Sequence, residues 1–230
     1  MKFNALLYKE IRECLPYVIG AAILLIAFGF TTVQMGVDPD TINNRYMAFS
    51  NANQWGWNLF RGYFIQPAGV SVLIFTIALG IALAIHQYSV EFFVRTWGFL
   101  LHRSVNRGTI LASKLLAGLL SFVPLLIIWG LFFLYAHNKR YFPIPPTERI
   151  FMEGLIFVAF GFVSYLAVAM AALNKAKWYT TKTLSVAFGI WMFITLAVQW
   201  QLFWAWITIA VATAILLVQI IDTFLNREFE

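Results

Sequence analysis

Charge is what this sequence has least of. Only 11% of its 230 residues are Asp, Glu, Lys or Arg, against roughly 25% in soluble domains, and that deficit excludes an ordinary water-facing surface. Cysteine occurs once, at Cys14, which excludes an internal disulfide and any multi-cysteine zinc site. No Gly-x-x-x-x-Gly-Lys-[Ser/Thr] run is present, so the chain lacks the phosphate-cradling loop of P-loop ATPases. His86, His102 and His137 each lack a second ligand at i+3 or i+4, which speaks against metal or haem. No acidic or basic residue stands at the centre of an apolar run, and buried charge is the usual mark of proton relays and ion pathways. The clustered Asp/His/Glu or Ser/His set that an intramembrane hydrolase needs at membrane depth is also missing. No catalytic, cofactor or metal site is expected on this chain, and no repeat or soluble domain is visible.

Apolar runs dominate what remains. Hydrophobic residues make up 61% of the chain and the mean hydropathy is +0.78. Charge-free runs cover 14–37, 62–90, 115–138, 154–174 and 183–221, and a helix needs about 20 apolar residues to cross the hydrocarbon core. The first four runs predict one span each, near 16–35, 69–87, 115–135 and 154–173. The last holds 39 residues, which as a single helix would reach roughly 58 Å against a core of about 30 Å. It is expected to fold back at Gln199-Trp200-Gln201, giving spans 183–199 and 202–221, with a partly re-entrant hairpin as the other geometry. The expected fold is all-α: a polytopic membrane protein of six transmembrane helices forming one domain over 1–230. The first run exceeds a signal h-region of roughly 7–15 residues and no small-x-small site follows it, so it reads as an uncleaved span.

The net charge of +6 falls between these runs. The N-terminus, 88–114, 174–182 and the tail carry eleven Lys and Arg, while 36–68, 136–153 and the last hairpin carry five. That asymmetry places both termini in the cytoplasm of a cell's inner membrane and argues against nucleic acid as a partner. Residues 1–14 set Phe3, Leu6, Leu7, Ile11 and Cys14 on one helical arc, with Lys2, Lys9 and Glu13 opposite and Glu10 inside the apolar arc. A cytoplasmic helix lying on the membrane surface fits this pattern. Trp55, Trp57, Phe60, Tyr63 and Phe64 crowd the approach to the second span, either as an aromatic belt or for ligand stacking. The segment 36–68 is too short for a core of its own without staples. Polar groups inside the spans are mild: Ser71, Thr76, Ser121, Ser164, Tyr165, Thr195, Thr208 and Thr213. They read as packing or interhelical hydrogen-bond residues.

One extramembrane segment carries a motif. Residues 91–107 read Glu-Phe-Phe-Val-Arg-Thr-Trp-Gly-Phe-Leu-Leu-His-Arg-Ser-Val-Asn-Arg. At 100° per residue Glu91, Arg95, Gly98 and His102 share a narrow stripe, and Phe92, Phe93, Trp97, Phe99, Leu100 and Leu101 cover most of the rest. Glu91 precedes Arg95 by four residues, the favourable order for a helical ion pair. A short helix over 91–102 with so broad an aromatic face suits the membrane interface or a groove in a partner protein.

Glu91, Arg95-Thr96, Phe99-Leu100-Leu101, Val105-Asn106-Arg107, Ile110 and Lys114-Leu115-Leu116 together resemble the stretch after the second span of type-2 ABC transporter permeases. The family's glycine before Thr is absent here, and its Pro-Val-Ser-Arg turn is Ser104-Val105-Asn106-Arg107. The surface helix, the six spans and the chain length are also similar to that family. The resemblance implies that 91–102 is a coupling helix entering a cleft of a cytoplasmic ATPase subunit, with Glu91, Arg95, Trp97, Phe99 and Leu100 making the contact. It further implies two copies of that ATPase, which bind the ATP and Mg, and a second permease chain, identical or homologous. Mild polar groups along the spans would suit export of an amphipathic or lipid-like cargo. A non-transporting assembly or anchoring subunit, or a polytopic membrane enzyme, are the alternatives.

Overall fold

Hydrocarbon offers no partner to a backbone N–H or C=O, so an apolar run inside it closes its hydrogen bonds on itself as a helix. The computed structural model describes residues 2–35, 67–90, 106–138, 148–173 and 202–226, and among these all but Asn106 and the turn at 121–122 are helical. The helices are α1 (Lys2–Met35), α2 (Pro67–Ala84), α3 (Arg107–Leu120), α4 (Val123–Asn138), α5 (Glu148–Leu173) and α6 (Leu202–Asn226). A π-helical segment, Ile85–Val90, continues α2.

Five stretches are long and apolar enough to cross a membrane: Phe3–Phe28, Val72–Val90, Arg107–Leu134, Gly154–Leu173 and Ala205–Asn226. Their outward faces are apolar too, with Ile23 60% and Val218 66% exposed and Ile74, Ile127 and Leu131 alongside. Apolar area left in water costs about 25 cal/mol per Å², and lipid removes that cost. The chain therefore has the character of an all-helical membrane protein. The expected span 183–199 and the turn at 199–201 lie outside the described residues.

Helix α1 departs from the expected division into a surface helix and a span. It runs unbroken through Pro16, although proline has no N–H to give the carbonyl four residues back. Glu10, Cys14, Val18, Ala21 and Leu25 are all buried, three or four residues apart, so one packed stripe runs through both halves. Ile11 is exposed and Glu10 is buried. The bundle takes the arc expected at the N-terminus, with Phe3, Leu6 and Leu7 partly buried and Cys14 buried, together with the Glu10 inside it, and leaves only Ile11 at the edge outside.

Between α3 and α4 the cause of the break is local. The Pro124 ring collides with the carbonyl of residue 120 and supplies no donor to it, and α3 ends at Leu120. Ser121 closes the end: its N–H and its Oγ both donate to the Ala117 carbonyl, at 3.0 and 2.8 Å.

Helices α2 and α5 form the most extensive pair. A Cβ on Gly80 would collide with the Gly161 carbonyl, and one on Gly161 would come within 2.7 Å of Thr76. Small residues let the two backbones touch, as in membrane helix pairs generally. Thr76 Oγ1 lies 3.0 Å from both the Leu73 and the Phe157 carbonyl oxygens. Thr76 meets Phe157 and Tyr88 meets Tyr165, so α2 and α5 run parallel. Trp129 meets Phe151 while Phe122 meets Phe162, so the α3–α4 arm runs antiparallel to α5. Phe28 meets Phe75 while Tyr17 meets His86, so α1 is antiparallel to α2. The beginnings of α1 and α3 consequently share one end of the bundle with the finishes of α2 and α5. Arg107 Nη1 donates to the Leu225 carbonyl at 3.4 Å, bringing the end of α6 there as well.

Candidate functional site

That shared end holds a buried polar cluster. Helix α1 supplies Glu10 and Cys14, the π-helical segment Gln87 and Tyr88, α3 Lys114, and α5 Tyr165; each is at most 2% exposed. The π-helical turn departs from the 3.6-residue period, and such turns are frequent at functional sites. Here it turns the adjacent residues Gln87 and Tyr88 both inward. Asn106 starts α3 by accepting the Gly108 N–H on Oδ1 at 3.1 Å, a cap that fixes the axis on which Lys114 sits two turns later. Gly118 makes room for Tyr165, whose ring occupies the space where a Cβ would stand.

Lys114 is the centre of the cluster. Its ammonium donates to Glu10 Oε1 at 3.0 Å and to the Gln87 carbonyl at 3.1 Å, and it stands 5.9 Å from the centre of the Tyr88 ring. A carboxylate only accepts hydrogen bonds, so Gln87 turns its amide Nε2 toward Glu10 Oε2 at 3.4 Å, and the same nitrogen lies 3.2 Å from Cys14 Sγ. That leaves Gln87 Oε1 to accept from the Tyr165 hydroxyl at 2.6 Å. The same hydroxyl lies 3.2 Å from the Lys114 carbonyl and 3.4 Å from the Tyr88 hydroxyl. Four chain segments are therefore joined through one ammonium and one amide. The two ions lie in the first third of their candidate spans, Phe3–Phe28 and Arg107–Leu134.

Sequence reasoning missed this site. In sequence Lys114 counts only among the cytoplasmic charges of 88–114 and within the permease resemblance, because buried charge is sought at span centres. The available signal was Glu10, which interrupts the apolar arc of residues 1–14 because that position faces Lys114 and not lipid. Tyr165 reads from sequence only as a mild polar group. Thr76 bonds across to α5, whereas Ser121 and Ser164 bond carbonyls of their own chain segment four residues back.

The motif residues Glu91, Arg95, Trp97, Phe99 and Leu100 lie outside the described residues, as does His102. The segments that flank them are described, and both belong to the cluster. His86 meets Tyr17 at a tilt of 44°, with ring centres 5.0 Å apart and the Tyr17 hydroxyl 3.2 Å from Nδ1. Among the described residues no three of His, Cys, Asp and Glu come together as a metal site. Asp222 is exposed and accepts from Asn226 Nδ2 at 2.7 Å, the arrangement of a helix-end residue. The chain matches no protein-family model, no curated protein and no solved structure.

Proposed function

We propose that this chain is the membrane-spanning subunit of an ATP-driven transporter whose motor is a separate ATPase polypeptide. The reading combines the type-2 ABC permease resemblance of residues 91–116 with one observation. Lys114 Nζ on the Gln87 carbonyl, 3.1 Å, ties together the two segments that enter and leave residues 91–105. A coupling helix works only if its push reaches the spans through something rigid. The same ammonium and amide pass that connection on to α1 and α5.

Six spans with both termini on the cytoplasmic side belong to the same proposal. The buried stripe Ala205, Ile209, Ala212, Leu216, Ile220 and Phe224 runs the length of α6, so α6 lies along the bundle and finishes beside Arg107. Helix α5 finishes at that end too. The proposed sixth span, 183–199, carries the chain back from the end of α5 to the start of α6, a distance of about 37 Å for the length of α6 at 1.5 Å per residue. A reporter fused at 200 is expected outside and one at 178 inside; a cytoplasmic reporter at 200 defeats the sixth span.

The transporter reading is tested by mild-detergent purification of the full chain from its native membrane, with identification of what accompanies it. A P-loop ATPase and a second permease copy or homologue are expected. Trp97→Ala and Phe99→Ala should leave the chain inserted while weakening that association or uncoupling hydrolysis from transport, by roughly 3–5 kcal/mol of lost contact where the ring is fully buried. Purification without any ATPase, or unchanged assembly and ATPase stimulation in both variants, overturns the reading. An amphipathic or lipid-like substance is the proposed cargo, exported through a pathway shared by two such chains.

A further inference from the structure

We infer that Glu10, Gln87, Lys114 and Tyr165 act as a clasp that opens and closes the first turns of α1 against the rest of the bundle. The inference stands on the cluster alone and does not depend on the transporter reading. Glu10 Oε1 and the Gln87 carbonyl take two of the three ammonium protons of Lys114, so α1 is held to α3 and to the end of α2 by the same group. Before Glu10 the described residues of α1 are at most partly buried, with Leu6 against the core and Tyr8 exposed, and the Lys9–Glu13 pair lies within α1 itself. After it, Tyr17 meets His86, and Val18, Ala21 and Leu25 are buried.

A buried ion pair contributes little net stability, yet removing one partner leaves an uncompensated charge and is strongly unfavourable. It therefore behaves as an all-or-none contact. Tyr165, from α5, donates to Gln87 and holds it in place, and α5 shares the tight backbone seam with α2 and cannot shift easily. The moving part is thus the start of α1, and the fixed part is the α2–α5 pair. Glu10 and Lys114 are the contact; Gln87 and Tyr165 are positioning residues.

The chain carries its own reporter for this motion. Cys14 is its single cysteine, is 1% exposed, and sits one turn after Glu10 against the Gln87 amide. The experiment measures N-ethylmaleimide labelling of the full-length chain in lipid nanodiscs by intact mass. The wild-type chain should label slowly, at a rate set by opening. Lys114→Met should label at least about tenfold faster, since breaking a buried pair is strongly unfavourable. Loss of a neighbouring cation by itself makes a thiol less reactive, so acceleration reports exposure and not electrostatics. Glu10→Asp keeps the charge but withdraws the carboxylate by one carbon–carbon bond, roughly 1.5 Å, and should also accelerate labelling. The double variant Glu10→Gln with Lys114→Met leaves no unpaired charge and should label more slowly than Lys114→Met alone. Thr76→Val, which alters the α2–α5 seam, should leave the rate unchanged. Wild-type rates in Lys114→Met and Glu10→Asp overturn the clasp. So does a double variant faster than either single change, or a Thr76→Val chain that opens as readily. If Lys114→Met does not fold, the Glu10→Asp and Thr76→Val pair decides.

Discussion

The polar cluster at the shared end and the α2–α5 seam hold the same bundle together by opposite means. The seam is built from residues that are nearly absent: Gly80 and Gly161 let backbone meet backbone, and Thr76 adds one hydroxyl. Its geometry is a matter of shape, and it fails when an atom is added. The cluster is built from residues that are expensive to bury, and it fails when an atom is taken away. Lys114 and Glu10 have 0% and 3% of their side chains exposed, so each is tolerable only beside the other. A seam of small residues fixes how close two helices lie. A buried ion pair fixes which residues meet.

The comparison is most exposed at Lys114. Lys114→Ala should destabilise the folded chain by roughly 3–5 kcal/mol, because the Glu10 carboxylate is left buried and unpaired. Replacing both ions with apolar residues, Glu10→Leu with Lys114→Met, should restore most of that loss in thermal unfolding in detergent. A double variant as unstable as the single one would mean that the cluster, like the seam, depends on shape.

The seam gives the next largest effect and the opposite sign of change. Gly161→Val should cost about 1–3 kcal/mol or somewhat more, since the added methyls meet the Thr76 backbone, which cannot swing away. Gly20 has nothing within 4 Å of an added Cβ, and Gly20→Ala should be neutral or stabilising by up to roughly 1 kcal/mol. Equal effects at Gly161 and Gly20, read from the same melting curves, would remove the argument from close approach.

Thr76→Val separates shape from hydrogen bonding within the seam. Volume is nearly kept and the hydroxyl between Leu73 and Phe157 is lost, so about 1 kcal/mol is expected. A loss as large as that of Gly161→Val would show that the seam rests on its hydrogen bond. The smallest effect belongs to Lys9–Glu13, 3.5 Å apart and well exposed. Lys9→Ala should change stability by only about 0.3–0.5 kcal/mol. That value, set beside Lys114→Ala, measures what burial adds to an ion pair of the same charge type.

Part of this architecture is legible without coordinates. The charge-free runs call for helices because lipid leaves a backbone no other way to satisfy its polar groups, and the apolar outward faces of α1 and α6 follow from the same solvent. The break at Pro124 is local chemistry, but the unbroken course of α1 through Pro16 shows that a proline alone does not announce it. Glu10 announced itself as a polar interruption of an apolar arc, although nothing within residues 1–14 says what it faces.

The tertiary structure alone decided the rest. Glu10 and Lys114 are 104 positions apart, and no helical period relates residues on different helices. Whether an ion near the start of a span faces water or a partner depends on which neighbour packs against it. Thr76 and Gly161, Gly118 and Tyr165 met only once the helices were set side by side. Sequence determines that each helix must form, because its backbone and its solvent are local conditions; packing determines where each helix turns its few polar residues, because the partners that make burial tolerable come from elsewhere in the chain.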